Sequence, residues 1–415
     1  MTTRVGASRA WTAAMIAALA LVAAALLILP PMLAPEPSAS VAERSTEAPT
    51  DAPTPALSVE PAPSVALSPY RSVTWSLASF VDADADIRAA FAAGTHVVAV
   101  GVSAAQVPTA WSSADGGASW QTAVLPIGTP PVDGASAVVG PVAGWGDQVL
   151  AVGLWIDPAT SLLSGRFALL SEDGGVTWEK SELAPAELQL QSVAATANGF
   201  VGIGLNLIDG ISGLWGSDDG ATWMPLDPVG LPDDAARGLA PLAGGPDGLL
   251  LAGATLDGRQ DNHPAAWFSA DGRTWQLTYE DPAASGRILQ LLGGEGGYLG
   301  PGQSFGGVQG GVPAIWYSPD GRSWTSREFF DLPGLQIGSA AFNSAGVVMT
   351  AESLTAGVTT TIRFLRGGSE DESDAEVAIV RPWLVGLADH YVAIGTCPEG
   401  SDCHGLIVAI GQPTE

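Results

Sequence analysis

Four arginines stand at comparable places along a chain in which arginine and lysine are scarce. Lysine and arginine together number 16 of 415 residues, against 43 aspartates and glutamates. Arg88, Arg237 and Arg287 each come six residues before a glycine or an alanine, and Arg381 has a similar place near the C-terminal end. Converging guanidinium groups could bind a carboxylate or a sulfate through paired hydrogen bonds. The alternative is that each arginine pairs with a carboxylate on a neighbouring loop.

Two acidic runs have the composition of cation sites. Asp82, Asp84 and Asp86 alternate like the first ligands of a calcium loop, but the glycine and the terminal glutamate of such a loop are missing. The second run, SEDESDAE, occupies residues 369–376. We interpret both runs as solvated acidic segments and predict no cofactor and no metal site. Ca²⁺ is the cation that a complete motif of this kind would bind.

One catalytic pattern matches by its letters. Residues 302–306 read Gly-Gln-Ser-Phe-Gly, which fits the G-x-S-x-G nucleophile motif. That chemistry requires a turn from a strand into a helix, whereas a glycine-rich loop follows here. We therefore assign no catalytic residue to this motif.

The two cysteines, Cys397 and Cys403, are separated by the turn-forming peptide PEGSD. In an exported chain this spacing predicts a disulfide that holds one loop. The alternative is a metal site made by both thiolates and His404, although zinc normally takes a further ligand.

A recurrent peptide supplies the elements that would position these residues. The pattern Ser-x-Asp-Gly-x-Thr/Ser-Trp recurs five times, at residues 113–120, 171–178, 217–223, 269–275 and 318–324, and the first two copies carry one additional residue. An Asp-Gly pair between two β-rich runs predicts a tight hairpin, in which the aspartate accepts hydrogen bonds from the turn and the tryptophan packs beneath it. The structural aspartates and tryptophans of these "box turns" are Asp115 and Trp120, Asp173 and Trp178, Asp219 and Trp223, Asp271 and Trp275, and Asp320 and Trp324.

The box turns resemble the Asp-box, or BNR, repeats of sialidases, sortilin-type receptors, some xyloglucanases and photosystem II assembly propellers. The resemblance implies an all-β propeller, a ring of four-stranded sheets called blades. Seven regular apolar segments have the pattern of second strands, at residues 96–101, 148–153, 200–204, 249–253, 298–302, 347–351 and 391–395. They predict seven blades. A six-bladed ring is the alternative, because the acidic run replaces the box turn in the sixth unit.

The seventh unit ends after its third strand, LIVAIG at residues 406–411. The peptide Ser72-Val73-Thr74-Trp75 resembles the second half of a box turn and precedes the first blade. We predict that this segment completes the last sheet and closes the ring.

The resemblance to sialidases implies three arginines that bind a carboxylate, a Tyr–Glu nucleophile pair and an acid/base aspartate. Arg88, Arg237 and Arg287 would be the arginines, but the family's Arg-Ile-Pro signature is absent. The residues Tyr279, Glu280 and Asp281 have suitable types but are consecutive. Glycoside hydrolysis needs two groups that face each other about 5–9.5 Å apart, and the sequence predicts no such pair.

The N-terminus has the pattern of a membrane anchor. Arg4 and Arg9 precede an uncharged stretch, residues 11–29, that would span about 28 Å as a helix. We predict a single-pass anchor with the following chain outside the cytoplasm; cleavage near residues 38–42 and secretion is the alternative. The predicted organisation is a tail and anchor at residues 1–34, a Pro/Ala/Ser-rich extended linker at 35–70, and the propeller at 71–415.

The net charge of −27 argues against binding to nucleic acid or anionic lipid. In a propeller, the second-to-third and blade-to-blade loops share one face, which we call the variable-loop face. Function resides more often on such loops than on conserved turns. We predict a non-catalytic binding or scaffold module for an envelope protein, a peptide or a glycan. The alternative is a sialidase-like glycoside hydrolase with an arginine clamp.

Overall fold

The seven apolar segments form the second strands of seven antiparallel sheets in the computed structural model. The structure describes residues 72–79, 85–93, 95–232, 241–256, 262–294, 296–305, 311–332, 335–353, 361–366, 371–375, 379–396 and 406–414. Within those ranges, no helix has the length and apolar character needed to cross a membrane.

The strands are given in chain order. The segment β1 (Ser72–Ser79) precedes the first sheet, which consists of β2 (Asp86–Ala93), β3 (His96–Val102), β4 (Pro108–Ser113) and β5 (Gln121–Val124). The second sheet consists of β6 (Ser136–Trp145), β7 (Gln148–Ile156), β8 (Leu163–Ser171) and β9 (Glu179–Glu182). The third consists of β10 (Leu188–Thr196), β11 (Gly199–Asn206), β12 (Ser212–Ser217) and β13 (Met224–Pro225).

The remaining sheets repeat this order. The fourth consists of β14 (Leu242–Gly245), β15 (Gly248–Leu256), β16 (Asn262–Ser269) and β17 (Gln276–Glu280). The fifth has a divided first strand, β18 (Gly286–Ile288) and β19 (Leu292–Gly294), followed by β20 (Gly297–Ser304), β21 (Val312–Ser318) and β22 (Thr325–Glu328). The sixth consists of β23 (Leu335–Asn343), β24 (Gly346–Ser353), β25 (Thr361–Arg366) and β26 (Asp371–Ala375), and the seventh contributes β27 (Val380–Gly386), β28 (Tyr391–Thr396) and β29 (Leu406–Thr414).

The sheets form a closed ring, because first strands contact first strands all the way around. The contacts run from β2 to β6, β10, β14, β19, β23 and β27, and then back to β2. The prediction of a seven-bladed all-β propeller is therefore confirmed, and the six-bladed alternative is wrong.

The N-terminal segment completes the seventh sheet, as predicted. β1 pairs with β29 in an antiparallel register that runs from Ser72 opposite Thr414 to Ser79 opposite Ile407. Trp75 lies opposite Gly411, where a Cβ would come within 2.9 Å of the indole ring. A glycine at this position therefore lets the tryptophan lie flat against the last strand.

The acidic run of the sixth unit is part of a sheet. Residues 371–375 form its outer strand β26, which pairs with β25 from Ile362 opposite Ala375 to Arg366 opposite Asp371. These residues are therefore part of a sheet, and the interpretation of the run as an insertion is wrong for them. An outer strand is an edge strand, where charged residues are common.

The core lies between neighbouring sheets, and each second strand contributes to two core clusters. In β3, Val97 and Ala99 pack with residues of the seventh sheet, whereas Val98 and Val100 pack with residues of the second. Burial on both faces explains why these strands are continuously apolar rather than alternating.

Several predictions from the sequence fall outside the described residues. They concern the anchor and linker at residues 1–70, Asp82, Asp84, Arg237, and the pair Cys397 and Cys403. The membrane anchor and the disulfide therefore stay predictions.

Candidate functional site

The box turns satisfy their own polar groups. In the second one, Asp173 Oδ1 accepts hydrogen bonds from the backbone N–H of Val176 at 3.1 Å and of Thr177 at 2.8 Å. The Ser171 hydroxyl donates to Asp173 and accepts from the Gly175 N–H, each at 2.9 Å. Trp178 Nε1 donates to the Gly175 carbonyl at 2.9 Å. The carboxylate, the hydroxyl and the indole are thus all used within one hairpin.

The hydrogen bonds of the turns hold the five box carboxyls in the ionised form. The pKa of Asp115 is lowered chiefly by the Ser119 hydroxyl, and that of Asp271 chiefly by the Thr274 N–H. For Asp173, Asp219 and Asp320, burial is the largest single influence and opposes ionisation, but the turn's hydrogen bonds together outweigh it and lower the pKa. These aspartates serve the fold and offer no acid for catalysis.

Three of the four candidate arginines lie on first strands. Arg88 lies on β2, where its guanidinium is 2.8 Å from the carboxylate of Asp86 and its side chain is 38% exposed. Arg287 lies on β18 opposite Gln303, and its Nε is buried without a hydrogen-bond partner. Arg381 lies on β27. Arg88 therefore takes the ion-pair alternative, while the described residues provide no such partner for Arg287 Nε.

Six first strands are interrupted in their N-terminal or middle part, whereas β14 pairs without a register shift. The pairing register shifts in β2 at Arg88, in β6 at residues 140–141, in β10 at Gln191, in β23 at residues 338–339 and in β27 at residues 381–382, and the fifth first strand divides into β18 and β19. Bulges of this kind redirect side chains and are common beside functional sites.

Glycines in the second strands allow two of these irregular segments to lie close. A Cβ on Gly101 would be 2.1 Å from the Asp86 carbonyl oxygen, and one on Gly302 would be 2.2 Å from that of Arg287. The recurring glycine is visible in the sequence, because most second-strand segments end on glycine. The sequence does not show which backbone group the glycine approaches.

The two ends of the central channel differ. At the end near the box turns, first-strand backbones touch, since a Cβ on Gly244 would be 2.0 Å from the Ala195 carbonyl oxygen, and one on Gly293 1.9 Å from that of Gly244. At the end with the bulges, a cavity of about 180 Å³ opens between the fifth and sixth sheets, lined in part by the side chains of Gln290 and Gln336.

The same face carries exposed aliphatic side chains at its loop tips. In the second-to-third loops of the first three sheets, Val107 is 38% exposed, Leu162 67%, Ile208 81% and Ile211 57%. Within the described part of the chain, no exposed large apolar residue lies in a box turn or in a first-to-second turn. The exposed loop tips make the variable-loop face the candidate binding surface.

The residues that match catalytic sequence patterns form hydrogen bonds with other parts of their sheets. Tyr279 lies on the outer strand β17, accepts a hydrogen bond from Trp316 Nε1 at 3.1 Å, and has a pKa raised by burial. Glu280 accepts a hydrogen bond from the Thr255 hydroxyl at 2.6 Å. Ser304 ends strand β20, is buried, and donates a hydrogen bond to Glu328. Tyr279 and Glu280 are therefore engaged by other groups, and Ser304, although it donates to a carboxylate, is buried at the end of a strand and not at a strand-to-helix turn.

Over the part of the chain that the structure describes, no group of three or more His, Cys, Asp or Glu side chains is arranged to hold a metal ion.

Comparisons with known proteins bear on the fold. No protein-family model and no curated protein matches this chain. A structure of YCF48 bound to a D1 peptide is 17% identical, with 83% of this chain and 100% of that chain covered and a TM-score of 0.48. A GH74 xyloglucanase from Xanthomonas campestris is 15% identical over 80% of this chain and 55% of that chain, with a TM-score of 0.51. A Trypanosoma rangeli sialidase is 13% identical over 81% and 57%, with a TM-score of 0.39. At 15% identity, the likeness to the xyloglucanase shows the propeller fold alone.

Proposed function

We propose that this protein is a non-catalytic binding module that holds a partner protein or peptide on its variable-loop face. The observation that carries the proposal is the set of exposed aliphatic side chains at the tips of three successive second-to-third loops. Burying such a side chain at an interface removes apolar surface from water and contributes roughly 1.5–3 kcal/mol.

Hydrogen bonds from polar side chains hold the backbone of these loops. In the third sheet, the Ile208 N–H donates to Asn206 Oδ1 at 2.9 Å, and the Ile211 N–H donates to Asp209 Oδ1 at 2.8 Å. In the second sheet, Asp157 accepts from the Ala159 N–H at 2.8 Å. A partner would therefore lose less of its binding free energy to ordering these loops.

The proposed setting is the cell envelope. The apolar stretch at residues 11–29, the preceding Arg4 and Arg9, and the Pro-rich residues 35–70 support a membrane anchor and a spacer that holds the propeller outside the cytoplasm. The partner would then be an envelope protein or a peptide, with a glycan as the other ligand class. Secretion after cleavage would leave the same binding face.

The alternative function is a glycoside hydrolase of the sialidase type with an arginine clamp on a carboxylate. It would need Arg88, Arg237 and Arg287 to act together. The ion pair between Arg88 and Asp86 favours the binding role instead.

Site-specific photo-crosslinking tests the proposal. A photoreactive amino acid at Leu162 or Ile208 is expected to crosslink one discrete partner in the envelope fraction. The matched control places it at Leu77 or Val124, which are 61% and 69% exposed on outer strands. Equal crosslinking from the outer strands, or turnover of a sialoside by the purified protein, would contradict the proposal.

A further inference from the structure

A second cavity, of about 640 Å³, lies on the face that carries the box turns, between the third and fourth sheets. Its walls are the first-to-second turns at residues 196–199 and 245–248 and the box turns of the two sheets. Trp145, from the second sheet, also lines it. This volume lies within the range of about 300–1,000 Å³ that is usual for ligand pockets.

The cavity has a structural cause in the outer strand of the third sheet. β13 has two residues, whereas the outer strands β5, β9, β17 and β22 have four or five. The short strand leaves Met224 69% exposed and Leu226 partly buried, and both line the cavity. With Trp145, they give the cavity an apolar wall.

The cavity is also lined by acidic side chains. Asp218, Asp219, Asp247 and Asp271 line it, and of the described lining residues Arg273 alone is cationic. Asp219 and Asp271 are held ionised by their own turns, while Asp218 and Asp247 are exposed to solvent. A cation that enters would meet carboxylates beside apolar surface, and carboxylates bind guanidinium groups through paired, charge-assisted hydrogen bonds.

We propose that this cavity binds a segment of a partner protein that presents an arginine next to an apolar residue. The guanidinium would contact Asp218 and Asp247, while its aliphatic stem and the neighbouring side chain pack on Trp145 and Met224. The site is separate from the variable-loop face and does not depend on the function proposed above.

A labelled peptide tests the proposal on the full-length protein. We expect a fluorescein-labelled Gly-Leu-Arg-Leu-Arg-Gly peptide to bind with micromolar affinity in fluorescence anisotropy, and more weakly as salt is raised. The double substitution Asp218→Asn with Asp247→Asn is expected to weaken binding about tenfold, because it removes both carboxylates that would contact the guanidinium. A peptide with glutamate in place of arginine is expected not to bind.

The control separates a site from general attraction to an acidic protein. Glu179→Gln with Glu182→Gln removes the same charge from the exposed outer strand β9, and we expect it to change the affinity less than about twofold. Equal weakening by both double variants would overturn the proposal, as would unchanged binding in the Asp218/Asp247 variant. Met224→Ser supplies a variant of the apolar wall, and it should weaken binding without lowering the melting temperature.

The two proposed binding surfaces can be tested independently of each other. Ile208→Ser with Ile211→Ser is expected to leave peptide binding unchanged, because these residues lie in the loop between β11 and β12. Loss of peptide binding in that variant would overturn the assignment to the box-turn cavity. Failure of the peptide to bind the unmodified protein would overturn it as well, with no bearing on the crosslinking from Leu162 or Ile208.

Discussion

The box turns and the second-to-third loops are both connections between strands, but their side chains differ. Those of the box turns are bonded or buried within the turn, whereas the loops leave apolar side chains exposed to solvent. In the box turn of the second sheet, Asp173 and Trp178 bond back to their own turn, and the indole is buried. In the loop of the third sheet, Asp209 also bonds to its own backbone, but Ile208 and Ile211 are left in solvent. The polar groups and the tryptophan of the box turn all contribute to folding. In the loop, the polar groups contribute to folding, and the apolar side chains are exposed and can contact a partner.

The residues with shifted pKa values are not the residues that support a binding role. Five aspartates with lowered pKa values would attract attention as acid/base groups, yet each is held by a hairpin. The residues that support a binding role are ordinary aliphatic side chains, which are informative only because they are exposed. A perturbed pKa in a repeated turn is therefore evidence about folding before it is evidence about catalysis.

The largest expected effect is the loss of a box tryptophan. Trp223 is 2% exposed and packs against Leu183, Leu190 and Trp215, so Trp223→Ala should lower the free energy of unfolding by about 3–5 kcal/mol. Trp324 is only partly buried, and its Nε1 donates to Thr278 at 3.4 Å instead of to its own turn. Trp324→Ala should cost less, and guanidinium denaturation of both variants measures the difference. Equal losses of unfolding free energy in the two variants would show that burial does not determine how much a box tryptophan contributes to stability.

A smaller effect is expected from a box carboxylate. Asp173→Ala removes the acceptor for two backbone N–H groups and the Thr177 hydroxyl. Since hydrogen bonds to charged groups contribute about 1.5–3 kcal/mol, the free energy of unfolding should fall by roughly that amount. The matched control is Asp157→Ala, which changes a second-to-third loop. If the control were the more destabilising of the two, the distinction between the two kinds of connection would be lost.

Acid should weaken the box turns together. Their aspartates have pKa values lowered by folding, so their contribution is complete above the unfolded value of about 3.9 and is lost as the pH falls through the lowered folded values. The free energy of unfolding should therefore decrease steadily below about pH 4. Denaturation curves across this range test the expectation, and Asp173→Asn should flatten the dependence. A stability that does not change with acid would contradict it.

The ring of seven blades could be predicted because its signals are local. Each box turn contains its own hydrogen-bond partners, and each second strand shows its burial on both faces by a continuous apolar run. Even the closure by β1 was visible, since Val73 to Trp75 repeats the second half of a box turn.

The remaining features depend on pairing between distant segments. The outer strand β26 is acidic, so no apolar periodicity marks it, and only its register with β25 makes it a strand. The bulge at Arg88 depends on the close approach of Gly101, and the box-face cavity depends on the shortness of β13. From the sequence alone, the box turns on that face have a structural role. That two of them flank an open cavity follows only from how the third and fourth sheets lie side by side.

The smallest expected effect on stability is the one that most sharply tests the contrast between the two faces. Ile208 and Ile211 lie at the solvent-exposed tip of a loop whose hydrogen bonds come from Asn206 and Asp209. Ile208→Ser with Ile211→Ser should therefore change the free energy of unfolding by less than about 0.5 kcal/mol, as exposed substitutions usually do. Denaturation of this variant beside Leu77→Ser with Val124→Ser gives the comparison. A loss of several kcal/mol would mean that the loop tips pack into the fold, and the binding surface would have to be sought elsewhere.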